Sequence, residues 1–157
     1  MIEGEQPTRA GETSRTTQLM SVSLVSCSRP LPTLEPVYQY DLVNAPGKCI
    51  VGMHVKFPPN GSTPPHRHGT CSLIGYVVEG TTYNKMNDQP TKTFTKGDTW
   101  YEAPGCHHKQ SDNASDTEPL TLLATFILDK KVLEEQGQAA LLIPDPEYKD
   151  IKFPQPS

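Results

Sequence analysis

"PPHRHGTCSLIGYVVEG", residues 64–80, decides the fold. It sets two histidines one residue apart beside a pair of prolines, then runs into an apolar segment that stops at a glycine. On an extended chain successive side chains point to opposite faces, so His66 and His68 share one face while Arg67 points away. Two imidazoles with a common direction suit a metal that takes several nitrogen ligands. Alone, the pair is a weak signal, and it asks for a third donor from elsewhere in the chain. Upstream, "CIVGMHVKF" (residues 49–57) alternates, with Val51, Met53, Val55 and Phe57 on one face and Gly52, His54 and Lys56 on the other. Downstream, "LTLLATFIL" (residues 120–128) does the same with Leu120, Leu122, Ala124, Phe126 and Leu128. The histidines therefore follow one half-buried strand across the loop "PPNGSTPP", whose prolines cannot donate to a ladder.

Sixteen prolines and eleven glycines point to many short strands broken by turns rather than to a helical bundle. Further strands are predicted in "VYQYDLVN" (37–44), "TTYNKM" (81–86), "TKTFTKG" (91–97), "DTWYEAPG" (98–105) and "HHKQSDN" (107–113). Eight or more short strands make the chain all-β, a sandwich or jelly roll. Residues 1–18 are polar and aperiodic and read as a disordered tail. The remainder, 19–157, is one domain's worth of chain, long enough to bury a core without a structural metal. After the last strand, "KKVLEEQG" can make a turn or two of helix ended by Gly137. The apolar "AALLI" (139–143) has no obvious home; it is expected on the barrel exterior or against a second subunit, as is "LMSVSLV" (19–25).

Fourteen basic residues against eighteen acidic give a formal charge of -4, with no basic block, which argues against nucleic acid as a partner. The cysteines, Cys27, Cys49, Cys71 and Cys106, form no CxxC pair, so neither a disulfide framework nor a zinc knuckle is expected. No apolar run approaches the length of a membrane span, and the polar start does not resemble a signal peptide. A cytoplasmic protein is expected, which makes the glycosylation patterns at Asn60 and Asn113 chance matches.

A second cluster, "GDTWYEAPGCHH" (97–108), supplies two candidates for the missing donor, His107 and His108. With it the chain resembles the cupins, whose first motif reads G-x5-HxH-x3or4-E-x6-G and whose second reads G-x5-P-x-G-x2-H-x3-N. Over about residues 61–80, His66, His68 and Gly80 fall in register, with Gly61 one residue short. Over about residues 97–113, Gly97, Gly105 and His108 fit, while Pro104 and Asn113 arrive one residue late. The alignment takes His108 as third ligand, and strand alternation agrees that adjacent His107 cannot also face inward. Where the family carries its ligating glutamate, this chain has Leu73; Glu79 lies in a later turn.

The resemblance implies a cupin double-stranded β-helix, a jelly-roll barrel with a polar N-terminal tail and a short C-terminal extension. It implies a divalent metal on His66, His68 and His108, iron first, then zinc, copper or nickel, since imidazole suits these better than manganese or magnesium. Without the glutamate the ion would keep its whole charge and act as a stronger Lewis acid. Leu73 and Gly75 are expected to line the pocket, one as apolar wall and the other as space. Glu102 is a candidate general acid or base, or a replacement ligand from another strand; its bland alternative is a solvated strand-end residue. Gln110 is expected to share a face with His108 and to hydrogen-bond substrate. Trp100 and Tyr101 are expected as wall or outer packing, His54 as structural, His107 as a neighbour or exposed, and Cys106 as a small buried thiol in a turn.

Two functional classes follow. The first is a metal-dependent enzyme acting on an aromatic or polyketide-like small molecule, of the kind met in microbial and fungal pathways, by oxygenation or by Lewis-acid isomerisation, cyclisation, dehydration or decarboxylation. The second is a non-catalytic cupin that binds or senses a small organic ligand. A homodimer is expected in either case, with no nucleic-acid or membrane partner.

Overall fold

The computed structural model describes residues 28–157; the expected tail (1–18), the "LMSVSLV" run (19–25) and Cys27 lie outside the described residues. Two antiparallel sheets face each other. One has the order β1-β2-β10-β5-β8, built from Thr33–Asp41, Lys48–Phe57, Leu120–Asp129, Ser72–Glu79 and Thr99–Glu102. The other has the order β11-β4-β9-β6-β7, from Ile143–Pro144, His66–Arg67, His107–Asn113, Thr81–Met86 and Lys92–Thr95, with β3 (Ser62–Thr63) also pairing β9. The short helix α1 (Lys130–Gln136) follows β10.

The alternation read from the sequence places the core. Val51, Met53, Leu73, Phe126 and Leu128 form one buried cluster, and Phe57, Val77, Leu120 and Leu122 a second beside it. Each such side chain contributes about 1.5–3 kcal/mol of burial. Strand β1 begins four residues earlier than the expected 37–44 and includes Pro36. It tolerates the proline because it is an edge strand, and its register against β2 shifts between Pro36 and Tyr38. Helix α1 stops where expected, at Gly137, whose φ of 59° suits a residue without a side chain. Among the described residues no helix is long and apolar enough to cross a membrane, and Cys49, Cys71 and Cys106 are unpaired.

The "AALLI" run corrects the expectation. Ala140 and Leu141 are buried in the first core cluster, and Leu141 and Leu142 line the barrel cavity rather than its exterior. The sequence reading missed this because the contacts are with residues about seventy positions away.

Candidate metal centre

Strand β4 is two residues long, and it pairs with β9 so that His66 stands directly opposite His108 and Arg67 opposite His107. This register carries the alternation of one strand into the other. His66 and His108 turn inward together, and the chain beyond β4 brings His68 to the same side, each less than a tenth exposed. One ring nitrogen from each lies within 4.8 Å of the other two. Arg67 points out and donates to the Gly105 carbonyl at 2.7 Å, which ties the two histidine-bearing segments together.

Backbone carbonyls orient two of the rings. Nδ1 of His66 donates to the Pro64 carbonyl at 2.7 Å, and Nδ1 of His68 to the Leu141 carbonyl at 2.6 Å. A carbonyl only accepts, so the proton sits on Nδ1 and the Nε2 lone pair is left for the interior. Burial pushes the His66 imidazole well below its ordinary value, helped by His108 and His68, and burial likewise lowers His108. Both rings are neutral, the form that ligates a metal.

Glu102 lies beside the three histidines, outside the set whose donor atoms all lie within 4.8 Å of one another. On β8 it stands opposite Leu73 of β5, so a carboxylate enters from the strand next to the one where the first motif lacks it. It is 1% exposed, which removes the solvated alternative. Its Oε1 accepts from Trp100 Nε1 at 2.8 Å and lies 3.3 Å from His108 Nδ1; its Oε2 lies 3.3 Å from His68 Nε2. Burial pushes this carboxyl up, but the contacts with His68, His108 and Trp100 outweigh it and hold it at about 2.

The donor set fits a metal ion. Among the described residues, His68 Nε2, both ring nitrogens of His108 and Glu102 Oε2 are buried without a hydrogen-bond partner. Unsatisfied groups of this kind are uncommon in folded proteins. One added proton would satisfy a single nitrogen–oxygen pair; one cation would satisfy the imidazole nitrogens and the carboxylate oxygen together, and would neutralise a buried negative charge. Three imidazoles and a carboxylate suit zinc, iron, copper or nickel.

The cavity around the group is lined by Leu73, Met53, Leu122, Phe126 and Trp100 on one side and by Thr63 and Ser111 on the other. Gly75 does line it, but the expected space is taken by Trp100, whose indole lies within 2.3 Å of where a Cβ at position 75 would stand. Trp100 is thus cavity wall, while Tyr101 is 61% exposed on the outside.

Gln110 does not share a face with His108. The β6–β9 register shifts so that Met86 pairs His108 and Lys85 pairs Gln110, leaving Lys109 without a partner. That extra residue resets the alternation, so Ser111 and Asn113 are the next buried positions. Gln110 instead lies in an outer polar groove, donating to Asp112 and accepting from Thr91, both at 2.8 Å. His107 also faces away and contacts Asp145 at 2.8 Å. Cys106 is half-buried, with its sulfur accepting from Asn87 at 3.7 Å, and His54 sits half-buried on the outer face of β2.

Residues 53–126 match the family model for a cupin domain. The chain carries a cupin-type domain. A germin-like protein (2-2) of Oryza sativa subsp. japonica is 33% identical over 86 residues, 51% of this chain and 38% of that protein, so the chain spans well under half of that relative. Among solved structures, a conserved protein with a double-stranded β-helix domain from Klebsiella pneumoniae superposes with a TM-score of 0.50 at 17% identity, covering 67% of this chain and 82% of the other. The DMSP lyase of Ruegeria pomeroyi superposes with a TM-score of 0.50 at 16% identity, covering 66% of this chain and 45% of the lyase. At these identities the structural likenesses establish the cupin barrel and no activity.

Proposed function

We propose that this cupin is a metal-dependent enzyme whose ion is held by His66, His68 and His108 with Glu102 beside them, and that its substrate is a small, largely apolar organic molecule. The convergence of unpartnered donor atoms from His68, His108 and Glu102 carries this reading. A bound ion would supply Lewis-acid polarisation of a substrate oxygen, or, if redox-active, a site for oxygen chemistry. The remaining steps belong to the chain. The imidazoles of His66 and His68 are held in one tautomer by Pro64 and Leu141. Trp100 fixes the Glu102 carboxylate. Leu73, Met53 and Phe126 exclude water from the reacting face, and Thr63 and Ser111 offer hydroxyls to a polar substituent.

Because Glu102 brings back one negative charge, the site is a milder Lewis acid than three histidines alone would make it. With Oε1 held by Trp100 and Oε2 left without a hydrogen-bond partner, Glu102 would serve the ion as a ligand through Oε2 rather than act as a free general base. A ligand-binding protein without turnover would use the same cavity, and the enzyme reading is preferred because buried unpartnered donors exceed what binding an apolar ligand requires.

Elemental analysis of untagged protein tests the proposal. About one equivalent of a transition metal per chain is expected, and less than about a tenth of an equivalent of any metal after loading would overturn it. Turnover of a phenolic or polyketide-like panel with and without oxygen then separates the two chemistries, since an oxygenase stops when oxygen is removed.

A further inference from the structure

The stretch from Ala140 to Asp145 is tied to the histidine-bearing segments at several points. After the turn at Gly137, a short 3-10 segment (Gly137–Ala140) brings Gln138, Leu141 and Leu142 over the cavity. Ala140 and Leu141 are 2% and 4% exposed. The Leu141 carbonyl takes the His68 Nδ1 proton at 2.6 Å, and the Ala140 carbonyl takes the Cys71 thiol at 3.4 Å. Beyond them β11 pairs with β4, setting Ile143 opposite Arg67 and Pro144 opposite His66. The Asp145 amide donates to the Pro65 carbonyl at 2.9 Å, and the Asp145 carboxylate receives His107 Nε2. The adjacent histidines thus divide two tasks: His108 faces the centre and His107 clamps this stretch.

We infer that residues 138–145 form a strap that positions His68 and sets the size of the substrate space, so that closing the cavity and gripping the metal are one equilibrium. Two observations lead there independently. The cavity, which is part-open to solvent, has a volume of about 60 Å³, room for several waters and short of the roughly 300 Å³ or more of pockets that bury organic ligands. The strap is a part of the wall that can yield, because β11 joins it to the barrel by two residue pairs, whereas β2 and β10 behind the apolar wall pair over ten. Second, the group that fixes the His68 tautomer belongs to the strap itself and not to a barrel strand. Lifting the strap to admit substrate releases the ring, and a ring fixed by metal favours the closed strap. Such coupling is reciprocal by thermodynamic necessity.

The inference rests on the metal-binding reading, and zinc, which needs no redox partner, serves as probe for both. With full-length protein, the zinc dissociation constant is measured by chelator competition for the wild type, Leu141→Gly, Asp145→Ala and the core control Leu128→Ala. Amide exchange is followed across residues 138–145 with and without zinc. Zinc is expected to slow exchange at the amides of Leu141 and Asp145. Leu141→Gly keeps the carbonyl that receives His68 but removes the buried side chain that seats it, and is expected to weaken zinc binding by up to about 10-fold, the low end of the penalty for disturbing the group that orients a metal-ligating histidine. Asp145→Ala should weaken it several-fold, and Leu128→Ala should lower stability without moving the zinc constant. If Leu141→Gly fails to fold, Asp145→Ala and the exchange data decide alone. Unchanged exchange on zinc addition, with strap variants binding as the wild type does, overturns the strap and leaves the metal reading standing. Failure of the wild type to bind zinc overturns both.

Discussion

The two sheets of the barrel turn different chemistry inward. The sheet containing β9 buries Thr63, His66, Thr82, Asn84, His108, Ser111 and Asn113, while the sheet containing β10 buries Val51, Met53, Leu73, Val77, Leu122 and Phe126. Among the described residues the apolar face has one buried charged exception, Glu102, and it meets the histidines. An apolar wall gains free energy simply by leaving water. A polar wall must find partners for every donor and acceptor, and here several at the centre find none among the described residues. The contrast assigns stability to one sheet and chemistry to the other, with Glu102 as the point where the division is broken.

The largest expected effect falls on the polar sheet. His108→Ala should abolish metal retention, to below about a tenth of an equivalent by elemental analysis, whereas His107→Ala should keep close to a full equivalent and only release it faster. The reverse result would exchange the roles of the two neighbours. On the apolar sheet, Leu120→Ala should lower the unfolding free energy by about 2–5 kcal/mol in denaturant titrations, with metal content unchanged. A loss of metal in that variant would show that the two walls are not independent. The smallest effect is expected outside both walls: Gln110→Ala should stay within about 0.5 kcal/mol of the wild type and leave metal content and turnover alone. Ser111→Ala, by contrast, should raise KM for a substrate bearing a hydroxyl or carbonyl.

Much of this was legible in the sequence where the signal is local. The two-residue period of residues 49–57 and 120–128 places the core, and it says that His107 and His108 cannot both face inward; the resemblance to the second cupin motif is what picks His108. It fails at Gln110 because one unpaired residue, Lys109, flips every later side chain of β9, and Gly and Pro, the usual marks of such irregularity, are absent there. Glu102 was visible as a nearby carboxylate, but its place beside the histidines depends on the pairing of β5 with β8, a register that neither strand encodes alone. The strap was out of reach for the same reason. Its partners, Pro65, Arg67, His68 and Cys71, lie some seventy residues earlier, and an apolar five-residue run does not say which surface it will cover.

X-ray absorption on zinc-loaded wild type and Glu102→Gln tests the central claim most directly. The account predicts a first shell of three imidazole nitrogens and one carboxylate oxygen at about 2.0–2.2 Å in the wild type, with the oxygen contribution lost and zinc held more weakly in Glu102→Gln. A wild-type shell with fewer than three imidazoles, or a spectrum and affinity identical in the two proteins, would contradict it.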